Sequence, residues 1–299
     1  MPTILITGAA GRTSGYVLRA LLESKSVSPS DIRLFVRSQE AVKKLKERHR
    51  ELPDSSFALG DYLEASTLPP ALKGVDIVFH NGPAFHALES AMGIALIDAA
   101  KQAGVKHFVY CSVLYSVLTK MVNHKAKFYV EEHLIESGLD FTILQPSSLM
   151  QNFNLERAVS TGVLPAMYNP RTLQGFLDLQ DLAEIARLVI LSPGQHNRAR
   201  YDLVGENASF EDVAREISKA AGKDIEIEWV QRDQIQSKGA THLNIASDYG
   251  TEGLNRMLFY YDRRGIPGSN NIARWLLGRE PTSVSGRIRR DIQEFHGKQ

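Results

Sequence analysis

The sequence has very little cysteine. Cys111 is the only one among 299 residues, so an internal disulfide and a four-cysteine zinc site are both excluded. This composition favours a reducing, intracellular compartment. The nine histidines show no metal-ligand spacing, and no metal is expected. Cys111 ends an apolar stretch, which indicates a small buried side chain rather than a nucleophile.

The chain also lacks an excess of either charge. Lys and Arg number 35 against 34 Asp and Glu, which disfavours nucleic acid or an anionic membrane as a partner. No apolar run approaches the roughly 20 residues that cross a bilayer, and the first residues lack the pattern of a signal peptide. We therefore expect a cytoplasmic protein that acts on a small molecule, and both a monomer and a homodimer stay open.

Short apolar runs alternate with segments of helical periodicity through the first half of the chain. The runs predict six buried strands, with helices between them, at 3–6, 32–36, 56–59, 75–80, 107–111 and 141–145. This alternation predicts an α/β fold with a doubly wound parallel Rossmann-like sheet. After Pro146 the pattern changes. Residues 147–175 are predicted to be irregular, and helices are predicted near Asp181, after Ser209 and over 285–295.

The strongest motif is a glycine-rich turn between the first predicted strand and the first predicted helix, Gly8-Ala9-Ala10-Gly11-Arg12-Thr13-Ser14-Gly15. Gly8 permits a tight turn, and Gly11 lets the backbone approach a diphosphate. Either Gly15 or Ser14 would let the helix pack near the sheet. The N–H groups and the dipole at the helix start favour an anion. We expect cofactor contacts from Gly8, Gly11, Arg12, Thr13 and Ser14, the alternative being a turn without a ligand.

A carboxylate is missing where an NAD site has one, at the end of the second strand. Val36-Arg37-Ser38 occupies that place, and Arg37 can pair with a 2′-phosphate through a charge-assisted contact. Arg12, in the glycine-rich turn, can add a second positive charge. These residues predict NADP as the cofactor. The alternative for each is an ordinary exposed arginine.

Several stretches occur in an order that resembles a known family: TGAAGRTSG, FVRS, FALGDYLEASTLPPALKGVDIVF, AGVKHFVYCSV, SGLDFTILQPSSLMQNF, FLDLQDLAEIARLVI and WLLGREPTS. The set resembles the NmrA-like branch of the atypical short-chain dehydrogenases/reductases, near its isoflavone-reductase-like and NADPH–quinone-reductase-like members. We expect an NADP-binding Rossmann domain at 1–148 and a smaller α+β substrate-binding region at 149–299, parts of which interleave with the sheet. The sequence departs from the family at Ser14, which replaces the third glycine, so either the turn is one residue longer or Ser14 fits.

The resemblance implies further cofactor contacts at the ends of predicted strands, where such folds bind ligands. It implies that the adenine lies near Asp61 and Tyr62, and that the ribose and diphosphate pass Asn81, Gly82 and Pro83. It also implies that the nicotinamide ribose lies near Ser112 and Val113, and the nicotinamide near Pro146, Ser147 and Ser148. Turn or helix-cap roles are the alternatives for Asp61, Asn81 and Ser112.

The Tyr-x-x-x-Lys pair of standard short-chain dehydrogenases is absent, since no tyrosine has a lysine four residues on. The resemblance implies that Lys127 replaces it, either by holding the nicotinamide ribose or by protonating the reduced substrate. The alternative is a surface lysine on a charged helix. Tyr115 and His124 are further candidate acids, with pocket lining and a loop or cap role as their respective alternatives.

The substrate side is predicted to be apolar. Its candidate lining, for which core packing is the alternative, is Leu149, Met150, Phe153, Met167 and Tyr168. Together these features predict an NADPH-dependent reductase of a small carbonyl, quinone or enone compound, including aromatic or secondary-metabolite-like ones. A function of another class stays open, because the family that the chain resembles also contains non-catalytic NADP(H)-sensing regulators.

Overall fold

The computed structural model describes residues 2–235, 245 and 247–296, which divide into two compact units. The first unit comprises Met1–Thr119, His124–Gln145 and Leu182–Tyr201. The second comprises Lys120–Asn123, Pro146–Asp181 and Asp202–Gln299. The chain thus enters the second unit at Lys120, at Pro146 and at Asp202, and it returns to the first unit at His124 and at Leu182.

Strands and helices alternate along the chain. The strands are β1 Ile4–Thr7, β2 Ile32–Val36, β3 Phe57–Leu59, β4 Ile77–His80, β5 His107–Cys111, β6 Phe141–Pro146, β7 Ser148–Leu149, β8 Val163–Ala166, β9 Gln174–Leu177, β10 Ala199–Leu203, β11 Glu206–Ala208 and β12 Glu226–Trp229. The helices are α1 Arg12–Glu23, α2 Gln39–Arg48, α3 Leu68–Leu72, α4 Glu89–Gln102, α5 Val122–Glu136, α6 Leu155–Thr161, α7 Leu179–Leu191, α8 Phe210–Ala221, α9 Asp248–Arg264, α10 Asn271–Leu277 and α11 Val284–His296.

The largest sheet has seven strands in the order β10-β6-β5-β4-β1-β2-β3. β1 pairs in parallel with both β2 and β4, and the neighbouring pairs from β3 to β6 are parallel as well. The strand order therefore reverses at β1. In such folds the ligand binds at this reversal, outside the carboxyl ends of the strands.

The central strands are buried on both faces, which explains why they consist of continuous apolar runs. Every residue of β1, β4 and β5 is buried. Helix α1 covers part of the sheet with Val17, Leu18 and Leu21. The predicted Rossmann-like sheet is confirmed, and the bounds of its six predicted strands differ from the prediction by no more than two residues.

The second unit contains a three-stranded sheet, β11-β9-β7, and a two-stranded sheet, β12-β8. The prediction of an irregular segment over 147–175 is wrong, because β7, α6, β8 and β9 all lie there. The side chain of Asn154 accepts a hydrogen bond from Arg157 N and begins α6, and Gly162, at φ +75°, ends it. Both signals were present in the sequence, but α6 has only seven residues and the strands no more than four.

Two helices of the second unit, α8 and α11, lie where the sequence predicts helices. The helix predicted after Ser209 is α8, and it begins with a capping box in which the side chains of Ser209 and Asp212 each accept a hydrogen bond from the other's backbone N–H. The expected terminal helix is α11, and its Ile288 and Ile292 are buried. Arg287 of the same helix is also buried, with its guanidinium Nε 2.7 Å from Asp291. Among the described residues, no helix has the length and hydropathy needed to cross a membrane.

Candidate functional site

The glycine-rich turn connects β1 to α1 at the point where the strand order reverses. Gly8 has φ +62°, and a Cβ atom at this position would lie 2.6 Å from the carbonyl oxygen of Asn81. Only glycine fits this backbone and this close approach. The N–H of Gly11 donates to the Gly8 carbonyl at 2.8 Å and closes the turn.

The start of α1 is open to an anion. Gly11 is the residue before the helix, no side chain caps it, and the first turn of α1 contains no acid. The N–H groups at such a helix end, together with the helix dipole, attract phosphate. A Cβ atom at Gly11 would project 3.0 Å from the Gly8 carbonyl oxygen, within the turn itself. The turn therefore fits a bound diphosphate.

Ser14 takes the place of the third glycine of the turn. Its side chain is buried, and its hydroxyl donates to the carbonyl of Thr7 at 2.8 Å. A Cβ atom at Gly15 would meet nothing within 4 Å, so Ser14 rather than Gly15 makes the close approach. The turn is not lengthened. The Ser14 hydroxyl holds the end of β1, and a cofactor contact of Ser14 stays a prediction.

Hydrogen bonds that involve the side chains of Thr7, His80 and Tyr62 support the glycine-rich turn. The Thr7 hydroxyl is hydrogen-bonded to His80 Nδ1 at 2.8 Å and accepts from Asn81 N at 3.2 Å. The Tyr62 hydroxyl is hydrogen-bonded to the Thr7 side chain and the Gly8 backbone. Burial nevertheless raises the pKa of Tyr62. The hydroxyl of Tyr62 thus braces the turn.

The loops after β3 and β4 hold the other residues expected on the adenosine half. The carboxylate of Asp61 accepts from Leu63 N at 3.0 Å, which is a turn role. Asn81 and Gly82 are half-buried beside the turn, and Pro83 is exposed. A direct contact of these residues with a cofactor stays a prediction.

Arg37 lies at the same sheet edge as the turn. Thr7 at the end of β1 is in register with Phe35 of β2, so the two chains leave adjacent strands side by side. Arg37 is exposed, and its side chain has no ion pair or hydrogen bond among the described residues. Ser38 next to it caps α2 through Ala41 N. The guanidinium can therefore receive a phosphate that extends from the turn.

Ser112, expected beside the nicotinamide ribose, is hydrogen-bonded to a buried side chain of α5. Its buried hydroxyl donates to the carboxylate of Glu131, while Val113 is half-buried. Glu131 also accepts from Gln145 Nε2 at 2.9 Å and from Arg200 at 2.9 Å. The Ser112 hydroxyl is thus held by a buried carboxylate, and the place of Ser112 and Val113 beside the nicotinamide ribose stays a prediction. Glu131 was not predicted as a residue of the site, because in the sequence it looks like any other charged residue on a helix.

Lys127 is buried, so the surface-lysine alternative is wrong. Its Nζ lies 2.7 Å from Glu89 Oε1 and 5.9 Å from the centre of the Tyr110 ring. Tyr110 is in register with His80, the last residue of β4, and so Lys127 lies over the carboxyl end of the sheet. Burial lowers the pKa of the ammonium, but the adjacent Glu89 carboxylate outweighs it, and the net result is a raised pKa.

The other two candidate acids lie next to each other. Tyr115 has φ +53° in the loop after β5, and its carbonyl is hydrogen-bonded to His124 Nδ1 at 3.0 Å. His124 is fully buried, and burial lowers its pKa to about 4 although the carbonyl opposes this. Its Nε2 has no hydrogen-bond partner among the described residues. At neutral pH His124 is uncharged and is a poor proton donor.

The residues expected around the nicotinamide, from Pro146 onward, and those expected around the substrate belong to the second unit. Pro146 and Ser147 are buried, and Ser148 is hydrogen-bonded to the Tyr261 hydroxyl. Three of the five predicted lining residues are buried in the core: Met150, Phe153 and Tyr168. The Phe153 ring packs on Phe176 at 4.9 Å.

This burial favours core packing, the alternative to the predicted pocket lining, for three of the five residues. Tyr168 packs on Phe210 at 4.9 Å, and Met150 has no exposed surface. For Met150, Phe153 and Tyr168 the core-packing alternative holds. Leu149 and Met167 are half-buried, and for these two a place in the substrate pocket stays a prediction.

Three buried histidines make stability sensitive to acid. Burial lowers the pKa of His80 to about 3, and the pKa values of His107 and His124 to about 4. In the unfolded chain each ring titrates near 6.5, so below that pH the unfolded state binds more protons. We expect each histidine to cost about 2 kcal/mol of unfolding free energy between pH 7 and pH 5.

Urea denaturation at both pH values measures this loss. The variant His124→Asn, whose amide can replace the donor at Nδ1, should reduce the loss of stability between pH 7 and pH 5 by about 2 kcal/mol, the contribution expected of this ring. Exposed His86 provides the control, because His86→Asn should leave the pH dependence unchanged. Equal stability of the wild type at pH 7 and pH 5 would contradict the buried neutral histidines.

Comparison with known proteins places these features in a family. The profile of the NmrA-like family matches residues 1–286. The NAD(P)H azoreductase of Xenophilus azovorans is 33% identical over 226 residues, which cover 74% of this chain and 75% of that protein.

Two solved structures share the fold over nearly the whole chain. An NADPH-dependent quinone oxidoreductase of Escherichia coli, complexed with NADPH, is 22% identical with a TM-score of 0.75, covering 97% of this chain and 99% of that one. Nmra, a negative transcriptional regulator in complex with NAD, is 18% identical with a TM-score of 0.75, covering 100% and 98%. Proteins with this fold thus include a reductase and a regulator, both bound to a nicotinamide dinucleotide.

Proposed function

The chain belongs to the NmrA-like family, and we propose that it is an NADPH-dependent reductase of small electron-poor acceptors such as quinones and enones. The observation that carries the proposal is the uncapped start of α1 beside Gly8, which lies where the strand order reverses. A relative described as an NAD(P)H azoreductase, 33% identical, supports a reductase. NADPH, when bound, supplies a hydride from C4 of its nicotinamide.

Different residues of this chain would bind the adenosine end and the nicotinamide end of NADPH. The N–H groups at the start of α1 would bind the diphosphate. Arg37 would pair with the 2′-phosphate at the end of β2. Lys127, over the carboxyl end of β5, would present a positive charge to the reacting end of the site.

The state of the candidate acids favours one class of acceptor. His124 is uncharged, and Lys127 is held by Glu89 with a raised pKa. Reduction of a simple ketone creates an alkoxide, a strong base that requires a proton from a nearby acid. Reduction of a quinone creates a delocalised phenolate, which is a much weaker base and can take its proton from water. Quinones and enones therefore suit this site better than simple ketones.

NADPH oxidation against a quinone, an enone, an azo dye and a simple ketone tests the proposal. We expect turnover with the quinone and the enone, and little or none with the ketone. The regulator alternative is favoured by one observation, that neither His124 nor Lys127 is poised to give up a proton. NADPH binding by calorimetry without turnover of any acceptor would replace the reductase with that sensor.

Arg37→Asp tests the cofactor preference. The wild type should bind NADPH at least about tenfold more tightly than NADH, roughly 1.4 kcal/mol, because only NADPH has a 2′-phosphate for Arg37. Arg37→Asp should remove or reverse this preference in calorimetric titrations. Arg50→Asp makes the same change of charge at an exposed arginine beyond the other end of α2, and it should leave the preference intact. A wild type that prefers NADH would show the assignment of Arg37 to be wrong.

A further inference from the structure

Two helices of the first unit approach each other closely at a glycine. A Cβ atom at Gly93 of α4 would lie 2.7 Å from Cγ2 of Val130 on α5. One helical turn before Gly93, Ser90 donates to the carbonyl of Ala126 at 3.0 Å. These contacts fix the distance between α4 and α5 along the faces that carry Glu89 and Lys127.

The ion pair between Glu89 and Lys127 lies within this tight contact. Glu89 Oε1 and Lys127 Nζ are 2.7 Å apart, and the exposed fractions of their side chains are 2% and 10%. The second carboxylate oxygen of Glu89 is buried without a hydrogen-bond partner among the described residues. A purely structural ion pair is stabilising only when its remaining polar atoms are also satisfied. This pair leaves one of them unsatisfied, which indicates a role beyond stability.

The groups around Lys127 make Glu89 its direct counter-charge. From β4 and β5 it faces His80, Tyr110 and Cys111, and burial favours the neutral form of each. From its own helix it faces uncharged His124. The next carboxylate on α5, Glu131, is taken by Arg200, Gln145 and Ser112. Without Glu89, a buried lysine in these surroundings would tend to lose its proton.

We propose that Glu89 is a positioning residue that keeps Lys127 as a fixed cation, so that Lys127 acts through its charge and N–H donors and does not give up its proton. The reactive part of this inference rests on the proposed reductase function. The charge state of Lys127 does not, and it can be measured without turnover. The proposal assigns the proton of the reduced acceptor to solvent.

Lysine titration by NMR on the full chain, labelled with 13C at Cε, tests the charge state. Lys127→Met identifies the Lys127 resonance by its loss. In the wild type this resonance should stay at the charged position up to pH 10 or so, whereas in Glu89→Gln its midpoint should be at least about two pH units lower. A wild-type midpoint below about pH 9 would overturn the proposal. If Lys127→Met does not fold, Lys127→Arg, which keeps a positive charge beside Glu89, identifies the same resonance by its loss.

Asp98→Asn is the matched control. Asp98 also lies on α4 and pairs with His133 of α5 at 2.7 Å, but this second pair is far more exposed. Its removal should leave the Lys127 resonance where it is in the wild type. A Glu89→Gln variant whose Lys127 stays charged to pH 10, like that of Asp98→Asn, would show that Glu89 does not set its charge.

The pH profile of turnover with a quinone gives the second readout. The wild type should show no loss of kcat on the alkaline side up to about pH 9, while Glu89→Gln should lose kcat as Lys127 deprotonates at a lower pH. Glu89→Asp keeps the charge and should restore part of the alkaline limb. A wild type without turnover would remove the reductase while the NMR titration still decides the role of Glu89. If kcat falls at the same alkaline pH in the wild type and in Glu89→Gln, the positioning role of Glu89 is wrong.

Discussion

Gly11→Val is expected to weaken NADPH binding by about 100-fold, or roughly 2.7 kcal/mol, without unfolding the protein. Gly11 has φ −81° and ψ 163°, an extended conformation that valine adopts readily. Its side chain would stand within the turn, where the backbone must approach the diphosphate closely. The loss corresponds to one or two charge-assisted hydrogen bonds. Calorimetric titration with NADPH measures it, and circular dichroism checks the fold.

Gly15→Ala is the control for this change. It lies in the same helix turn, and its Cβ atom would meet nothing within 4 Å. NADPH affinity should be unchanged, and alanine should raise the unfolding free energy by up to about 1 kcal/mol. Gly8 is unsuitable as a probe because its Cβ would collide with the Asn81 carbonyl and destabilise the fold. Wild-type affinity in folded Gly11→Val would remove the diphosphate from this turn.

Most of the sheet could be predicted because six of its seven strands are recognisable by themselves, while β10, with exposed and half-buried residues, is not a continuous apolar run. β1, β4 and β5 are buried on both faces, so they are continuous apolar runs whatever lies next to them. The glycine-rich turn is also a local signal, because its backbone conformation and close approach require particular residues at particular places. Short elements such as α6 were missed because prolines and asparagines dominate the segment around them.

The partners of the site residues could not be predicted in the same way. Glu89 and Lys127 are 38 residues apart, and each lies on a helix among other charged residues. Their pairing depends on the approach of two helices at Gly93, which no local pattern reveals. The hydrogen bond between Ser112 and Glu131 could not be predicted for the same reason, because it also depends on how separate elements pack. Phe153 shows a related limit, because an aromatic residue in a polar segment suits a pocket and a core equally well.

Lys127→Met is expected to lower kcat with a quinone by about 10²–10³-fold, because it removes a charge and three donors from the reacting end of the site. NADPH affinity should change much less, since the start of α1 and Arg37 would hold the cofactor elsewhere. Lys125→Met is the matched control. Lys125 is an exposed lysine two residues earlier on α5, and its replacement should leave kcat unchanged.

Stability must be separated from activity in this experiment. Lys127→Met leaves Glu89 buried without its counter-ion, which should cost about 3–5 kcal/mol of unfolding free energy. The double variant Lys127→Met/Glu89→Gln removes both charges and should recover most of this stability, but none of the lost turnover. Recovery of turnover in the double variant would show that the single variant failed only through its fold.

Lys127→Arg distinguishes a fixed charge from a proton donor. Arginine keeps the positive charge and donates hydrogen bonds, but it does not give up its proton in proteins. If Lys127 stabilises the negative charge that develops on the acceptor, Lys127→Arg should retain more kcat than Lys127→Met by about tenfold or more. Equally low kcat in both variants would instead assign proton transfer to Lys127. Full turnover in a folded Lys127→Met would leave the reductase in place and move the role to Tyr115, His124 or water.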